Sequence, residues 1–204
     1  MHIVCLDLEG VLVPEIWIAF AQESGISELR RTTRDEPDYD VLMQQRIKIL
    51  KEHALGLTEI WQTIAKIEPL DGAKAFLDAL RALCQVIILS DTFTQFASPL
   101  MQKLGYPTIF CNELSVAQNG EITGYKLRQQ NGKFHAVQAL KKIGFDVIAS
   151  GDSFNDLAMI READAGFLFR APQKILDDNA DVAAFTEYDD LLSAIKKKLS
   201  AQNN

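Results

Sequence analysis

The chain has 204 residues, of which 48% are hydrophobic and 24% are charged, and this balance is ordinary for a soluble globular protein with one sizeable core. Its formal net charge of −7 comes without a long basic stripe, which argues against a nucleic-acid backbone as the partner. No apolar stretch has membrane-spanning length, and the first is too short for a signal peptide. Three cysteines, an odd number, suggest free thiols in a reducing compartment, so we expect a cytoplasmic protein.

Two carboxylates follow the apolar run with which the chain begins. The residues from Ile3 to Leu6 leave no polar face, which predicts a parallel strand covered on both sides. Asp7 and Glu9 come next, before Gly10, and strand periodicity would point both acids to the same side. Two such anions repel each other without a cation. A hard divalent metal, with Mg2+ as the first candidate, would satisfy them; two ordinary solvated acids are the alternative.

Residues 14–69 show helical spacing of apolar residues and no strand signal. We therefore predict a small helical cap that is inserted after the first strand. The core domain would then consist of residues 1–13 and 70–204. Within that core, alternation around Asn119-Gly120 predicts a β-hairpin between residues 112 and 130.

Further short apolar strands alternate with helices along the rest of the chain. This order predicts an α/β fold with a doubly wound, Rossmann-like parallel sheet. The predicted strands after the first are Val86–Leu89, Thr108–Cys111, Val147–Ala149 and Ala165–Leu168.

Polar clusters follow these strands at comparable places. Ser90-Asp91-Thr92 follows the second strand, Lys133 opens a helix after the hairpin, and Gly151 to Asp156 follow the fourth strand. The carboxyl ends of parallel strands share one edge of a sheet, where ligands bind. A hydroxyl, an ammonium group and several acids at that edge suit phosphoryl transfer, because a metal and a lysine neutralise the phosphate while a carboxylate attacks it.

Each of these signals also has an ordinary interpretation. Ser90 would serve equally well as a helix N-cap, and Lys133 as a solvated lysine. Asp152 and Asp156 would be typical turn residues. Only the order and the strand-end placement of all four favour a catalytic site.

The motifs together resemble those of the haloacid dehalogenase (HAD) superfamily of aspartyl-phosphate phosphohydrolases. The resemblance covers nearly the whole chain and is closest to phosphoserine phosphatases, in particular to a bacterial branch that is also a homoserine phosphotransferase. That branch shares the Asp-Leu-Glu-Gly sequence, whereas most relatives have aspartate where this chain has Glu9. The four matching segments are Asp7-Leu-Glu-Gly-Val11, Ser90, Lys133 and Gly151-Asp152-Ser-Phe-Asn-Asp156.

The resemblance implies a catalytic role for each matching acid. Asp7 would be the nucleophile, forming a phospho-aspartyl intermediate, and also a metal ligand. Glu9 would protonate the leaving oxygen and then activate water, while its backbone carbonyl contacts Mg2+. Asp152 would complete the protein's metal ligands, and Asp156 would hold the loop or a water bound to the metal.

The same resemblance assigns the phosphate contacts. Ser90 and the Asp91 backbone would hold the phosphate oxygens, and Lys133 would balance the charge on the nucleophile. Asn155 would contact the substrate or the phosphate.

Two residues of the predicted cap suit an amino-acid substrate. Glu15 offers an acid for an ammonium group, and Arg46 offers a guanidinium that can hold a carboxylate in bidentate fashion. The relatives use a glutamate and an arginine at similar places. The alternatives are a first-turn acid favoured by the helix dipole for Glu15 and a surface position for Arg46.

The resemblance therefore implies a Mg2+-dependent phosphoserine phosphatase of serine biosynthesis that acts on a small molecule. Homoserine is a possible second acceptor of the phosphoryl group. A HAD phosphatase for another small phosphomonoester is the alternative enzyme. A phospho-receiver module would be shorter and would lack the cap. The sequence does not fix the oligomeric state, for which a homodimer is one expectation.

Overall fold

The computed structural model describes residues 1–33, 35–36 and 38–201 of the chain. Its strands are β1 (His2–Leu6), β2 (Gln85–Phe93), β3 (Thr108–Val116), β4 (Ile122–Lys126), β5 (Asp146–Gly151), β6 (Ala165–Phe169) and β7 (Ala184–Phe185). Its α-helices are α1 (Ile16–Ser24), α2 (Tyr39–Glu52), α3 (Leu57–Lys66), α4 (Ala73–Arg81), α5 (Thr94–Lys103), α6 (Gly132–Lys142), α7 (Leu157–Glu162), α8 (Gln173–Asp178) and α9 (Tyr188–Ala201).

In the described part of the chain the strands form one seven-stranded sheet in the order β4-β3-β2-β1-β5-β6-β7. All neighbours are parallel except β3 and β4. β1 is central, and the chain continues to β2 on one side and to β5 on the other, which is the point where doubly wound sheets bind ligands. The prediction of a doubly wound, mostly parallel sheet is confirmed.

The sheet separates two hydrophobic cores. Side chains of β1 point alternately into the two cores. Val4 and Leu6 lie in the larger core, whereas Ile3 and Cys5 lie in the smaller core. This alternation explains why the strand has no polar face, because both of its sides are covered by apolar side chains.

Two strands are longer than the sequence predicts. β3 pairs in parallel with β2 through its first half and antiparallel with β4 through its second half, so the predicted third strand and the first arm of the hairpin are one strand. β2 continues through Ser90 to Phe93, and α5 begins only at Thr94. The interpretation of Ser90 as a helix N-cap is therefore wrong.

The segment 14–69 contains α1, α2, α3 and a 3-10 turn at Ser27–Arg30. It is fastened to the core from two sides. The amide of Leu57 donates a hydrogen bond of 2.9 Å to the carbonyl of Gly120 at the tip of the hairpin. On the other side, Trp61 Nε1 donates to the carbonyl of Gln95 at 2.7 Å. The two helices α2 and α3 thus rest on the sheet edge and on α5.

Beyond residue 170 the chain forms elements that the sequence reading does not predict. β7 has two residues, too few for a hydrophobic period to be visible. α9 carries Lys196, Lys197 and Lys198 near its end and packs against α4, β6 and β7. Among the described residues, no helix combines the length and the apolar character needed to cross a membrane.

Candidate active site

Nine of the residues that the sequence predicts for the site line one cavity, and Asp156 lies behind them. The cavity has a volume of about 90 Å³ and lies at the carboxyl edge of the sheet, beneath the helical segment. Such a volume accommodates a small ligand rather than a large one. The predicted residues that line it are Asp7, Glu9, Glu15, Arg46, Ser90, Asp91, Lys133, Asp152 and Asn155.

Lys133 forms the electrostatic centre of the site. Its Nζ atom lies 2.8 Å from Asp7 Oδ1 and 2.6 Å from Asp156 Oδ1, and all three side chains are buried. Burial opposes the charge of the ammonium group, but Asp156 and Asp7 raise the pKa of Lys133 well above the usual value of lysine. The solvated alternative for Lys133 is therefore wrong, and the group stays charged at neutral pH.

Asp156 holds the loop that follows β5. Its second oxygen, Oδ2, accepts hydrogen bonds from the amides of Asp152 and Ser153 at 3.1 and 3.0 Å and from the Ser153 hydroxyl at 2.9 Å. A Cβ atom on Gly151 would lie 2.3 Å from Asp156 Cγ, so glycine is needed for this close approach. The loop fixes the direction of Asp152 through these bonds.

Three buried acids form a group with the geometry of a metal site. Carboxylate oxygens of Asp7, Asp152 and Asp156 all lie within 4.8 Å of one another. Burial, and then Asp156, raise the pKa of Asp7 well above its usual range, although Lys133 opposes this. At Asp7, therefore, Lys133 does not fully offset burial and the neighbouring acids. Oxygen ligands with excess negative charge fit a hard divalent cation.

Glu9 lines the same cavity as Asp7, but its carboxylate is not part of this acidic group. β1 ends at Leu6, so strand alternation does not extend to residue 9. The Glu9 carboxylate instead accepts a hydrogen bond of 2.8 Å from the amide of Ile16 and another from the side chain of Thr92. Burial and the nearby Glu15 raise the pKa of Glu9 to about 7, and a carboxyl group that titrates near neutrality suits proton transfer.

Gly10 lets the turn after β1 close against the metal-binding acids. It has a φ of +81°, and a Cβ atom there would lie 2.4 Å from Asp152 Oδ2. Within the turn, the amides of Leu12 and Val13 donate to the carbonyl of Leu8. Glu9 is thereby directed toward the helical segment while Asp7 remains beside Lys133.

The second motif supplies hydroxyl and carbonyl groups to the cavity. Ser90 is buried, and its Oγ accepts a bond of 3.3 Å from the amide of Thr92, so its own proton is available to a ligand. The carboxylate of Asp91 accepts from Asn155 Nδ2 at 2.7 Å. Its carbonyl accepts from the hydroxyl of Tyr39 at 3.2 Å, which connects α2 to the floor of the site.

Arg46 is a buried cation, 6% exposed, which makes the surface alternative wrong. Its guanidinium lies 4.4 Å from the centre of the Trp17 ring and donates to the carbonyl of Arg31 at 2.7 Å. Among the described residues, no carboxylate forms an ion pair with it and its Nε atom has no hydrogen-bond partner. Burial lowers the pKa of Arg46 to about 10, so it remains charged at pH 7.

Other side chains line the cavity that the sequence reading does not single out. Trp17 and Tyr39 are two of them, and neither belongs to a sequence motif. Tyr39 precedes a helical pattern after an acidic stretch, which is a weak signal for a site residue. Thr92 and Ser153, which belong to the predicted polar clusters, also line the cavity, and the remaining lining residues are Thr32, Thr33, Leu42 and Phe93.

Comparison with protein families agrees with this geometry. Residues 1–164 match the family model described as haloacid dehalogenase-like hydrolase. The chain belongs to this family. Membership places it among hydrolases, and the buried acidic group fits the metal ion that HAD phosphatases use.

Curated relatives extend the likeness over the whole chain. The chain is 51% identical over 204 residues to phosphoserine phosphatase ThrH of Pseudomonas aeruginosa, covering 98% of this chain and 100% of the relative. It is 51% identical over 191 residues to a phosphoserine phosphatase of Pseudomonas syringae pv. tomato, covering 94% of this chain and 81% of that one. A solved phospho-aspartyl intermediate analogue of phosphoserine phosphatase shares the fold, with a TM-score of 0.78, 24% identity and coverage of 95% and 98%.

Replacing Gly10 should separate metal binding from simple backbone strain. Gly10→Ala adds a side chain at positive φ and forces the Asp152 carboxylate to move. Gly25 is the matched control, since it has a φ of +73° and nothing within 4 Å of an added Cβ. Both variants should lose about 1–2 kcal/mol of stability, but only Gly10→Ala should weaken divalent-cation binding, by roughly 10–100-fold. Isothermal titration with Mg2+ or Mn2+ measures this, and equal cation affinity in both variants would contradict the assignment.

Proposed function

We propose that the protein is a Mg2+-dependent phosphoserine phosphatase that acts through a phospho-aspartyl intermediate on Asp7. The carrying observation is the buried guanidinium of Arg46, which has no carboxylate partner among the described residues and faces the same cavity as Asp7. Glu9 and Glu15 are near enough to raise the pKa of this cation, but neither forms an ion pair with it, so a ligand carboxylate would stabilise it further. Glu15, half-buried at the same cavity, would take the ammonium group of the amino acid.

We also propose that residues 14–69 act as a cap over the core formed by 1–13 and 70–204. The cavity lies between this segment and the strand ends, so closure of the cap would exclude water and bulky esters from the site. Its small volume favours an amino-acid phosphate over a larger phosphomonoester.

Chemistry would begin at Asp7, whose Oδ1 accepts hydrogen bonds from Lys133 and from the amide of Leu8. The carboxylate attacks phosphorus, the bond from phosphorus to the serine oxygen breaks, and Glu9 gives its proton to that oxygen. Glu9 then removes a proton from water, whose oxygen attacks the phospho-aspartyl group. The electron pair of the broken bond returns to the Asp7 carboxylate and releases phosphate.

Charge on the phosphoryl group would be neutralised during both steps. Mg2+ held by Asp7, Asp152 and the backbone carbonyl of Glu9 would supply positive charge to the phosphate oxygens. Lys133 adds a fixed ammonium group, while the Ser90 hydroxyl and the Asp91 amide hold the oxygens. Asn155 would contact the phosphate or the substrate from the far side.

A panel of phosphomonoesters tests this proposal most directly. Phosphate release from phosphoserine should exceed that from glycerol phosphate or a sugar phosphate, and a chelator should abolish it until Mg2+ is restored. Asp7→Asn should lower turnover by far more than tenfold, because an amide is a poor nucleophile. A tenfold loss alone would correspond to a barrier change of about 1.4 kcal/mol. Chelator-insensitive hydrolysis would remove the metal from the proposal, and near-normal Asp7→Asn activity would remove Asp7.

Arg46→Ala should affect only substrates that carry a carboxylate. Losing the partner of a buried carboxylate costs about 2–5 kcal/mol, so kcat/KM for phosphoserine should fall by roughly thirtyfold or more. Phosphoethanolamine keeps the ammonium group and lacks the carboxylate, and its kcat/KM should scarcely change. Equal losses on both compounds would mean that Arg46 is structural.

Homoserine should compete with water for the phospho-aspartyl group. It carries the same ammonium and carboxylate as serine with one more methylene, so Glu15 and Arg46 would hold its hydroxyl beside Glu9. A well-oriented acceptor reaches an effective molarity on the order of 10⁵ M or more, which offsets the concentration of water. With labelled phosphoserine, phosphohomoserine should appear in proportion to homoserine. Label found only in inorganic phosphate at saturating homoserine would make the protein a plain phosphatase.

We also propose that the protein forms a homodimer and is located in the cytoplasm. Sedimentation of the purified chain tests the first, and cell fractionation tests the second.

A further inference from the structure

The turn that carries Glu9 is tied to the far end of the chain. The hydroxyl of Tyr188, the first residue of α9, donates a hydrogen bond of 2.6 Å to the carbonyl of Val11. Val11 lies at the tip of the turn between Leu8 and Val13. This bond is buried and joins residues that are 177 positions apart, so a residue outside the sequence neighbourhood of the motif controls the motif's geometry.

The ring of Tyr188 is held by several neighbours. It stacks on Phe76 with the ring centres 5.0 Å apart and on Phe169 at 4.7 Å. The guanidinium of Arg170 lies 4.6 Å from the ring centre, and Arg170 adopts a φ of +51°, a conformation unusual for a residue other than glycine. Burial raises the pKa of Tyr188 to about 12, so the hydroxyl keeps the proton that it donates.

The turn has little freedom to adjust if this tie is lost. On its inner side Gly10 packs so closely against the Asp152 carboxylate that a Cβ atom at this position would collide with it. On its outer side the amide of Leu70 donates to the carbonyl of Leu12 at 2.9 Å. A shift of the Val11 carbonyl would therefore be transmitted to Glu9, which lies two residues before it and reaches the amide of Ile16 through its side chain.

We propose that Tyr188 is a positioning residue, whose hydroxyl holds the turn so that Glu9 lies within proton-transfer distance of the leaving oxygen. The inference rests on the proposed function, in which Glu9 is the acid and base. The family model ends at residue 164, so Tyr188 lies in the part of the chain that the model does not match. Tyr188 touches neither the substrate nor the metal-binding acids; it acts through the backbone of Val11.

Tyr188→Phe removes the hydroxyl and keeps the stacked ring. Phosphoserine needs a proton on its leaving oxygen, whereas acetyl phosphate expels acetate, a carboxylate that leaves without one. The variant should therefore lose about tenfold in kcat/KM for phosphoserine, a part of the roughly 10²–10⁴-fold that acid–base catalysis contributes. Its kcat/KM for acetyl phosphate should stay close to that of the unmodified chain. Equal losses on both substrates, or no loss, would overturn the inference.

Arg161→Gln supplies a matched control for loosened packing. Arg161 on α7 forms a double hydrogen bond with Asp181, which ties the C-terminal part of the chain without contact to the turn. This variant should lower the Tm and leave kcat/KM unchanged for both substrates. Arg161→Gln could instead lower the Tm and also reduce kcat/KM for phosphoserine but not for acetyl phosphate. The Tyr188→Phe result would then reflect loosened packing of the C-terminal part of the chain, and the inference would be overturned.

Combining Tyr188→Phe with Glu9→Gln gives a second and independent measurement. If the tyrosine acts through Glu9, its substitution should change the residual activity of Glu9→Gln by less than about twofold, because the two effects are not additive. A full further loss of about tenfold would show that Tyr188 acts elsewhere. If the unmodified chain releases no phosphate from phosphoserine, the proposed function itself is refuted, and the inference with it.

Discussion

The ion pairs of Lys133 with Asp7 and Asp156 are the interaction on which the rest of the site depends. A lysine and two aspartates buried together would each be unstable alone, since an unpaired charge in the interior is strongly disfavoured. Paired, they bring two strand ends and a helix to one point: Asp7 follows β1, Asp156 lies in the loop after β5, and Lys133 stands in the first turn of α6. The carboxylate oxygens of Asp7, Asp152 and Asp156 lie close together at this point, an arrangement that fits a hard divalent cation.

A second buried cation governs the opposite wall of the cavity. Arg46 lies over the ring of Trp17 and holds the carbonyl of Arg31, so the helical segment itself fixes the guanidinium before any ligand arrives. Cation–π contact and one carbonyl compensate only part of the lost hydration. The two cations thus divide the cavity, with Lys133 among the metal-binding acids and Arg46 on the wall formed by the helical segment.

The acid Glu9 stands between these two regions, and its surroundings differ from those of Asp7 although only one residue separates them. Asp7 is the last extended residue before the turn, whereas Glu9 lies within it and accepts a hydrogen bond from the first amide of α1. A turn closed by Gly10 and tied by Tyr188 therefore separates Asp7, in the buried acidic group, from Glu9, whose pKa lies near 7.

The sequence by itself determined the parallel sheet, the helical insertion and the strand-end positions of Asp7, Ser90, Lys133 and Asp152, because apolar periods and strand-end polar residues are local properties of the chain. It was wrong where the answer depended on non-local pairing: β3 serves two neighbours of opposite direction. Glu9 faces the same cavity as Asp7 but accepts a hydrogen bond from Ile16 instead of joining the acidic group. Only the tertiary structure decided that Arg46 is buried without an acid partner, that Tyr39 reaches Asp91, and that Tyr188 holds Val11. These contacts join residues up to 177 positions apart, and no hydrophobic period or motif spacing records which distant side chains packing will bring together.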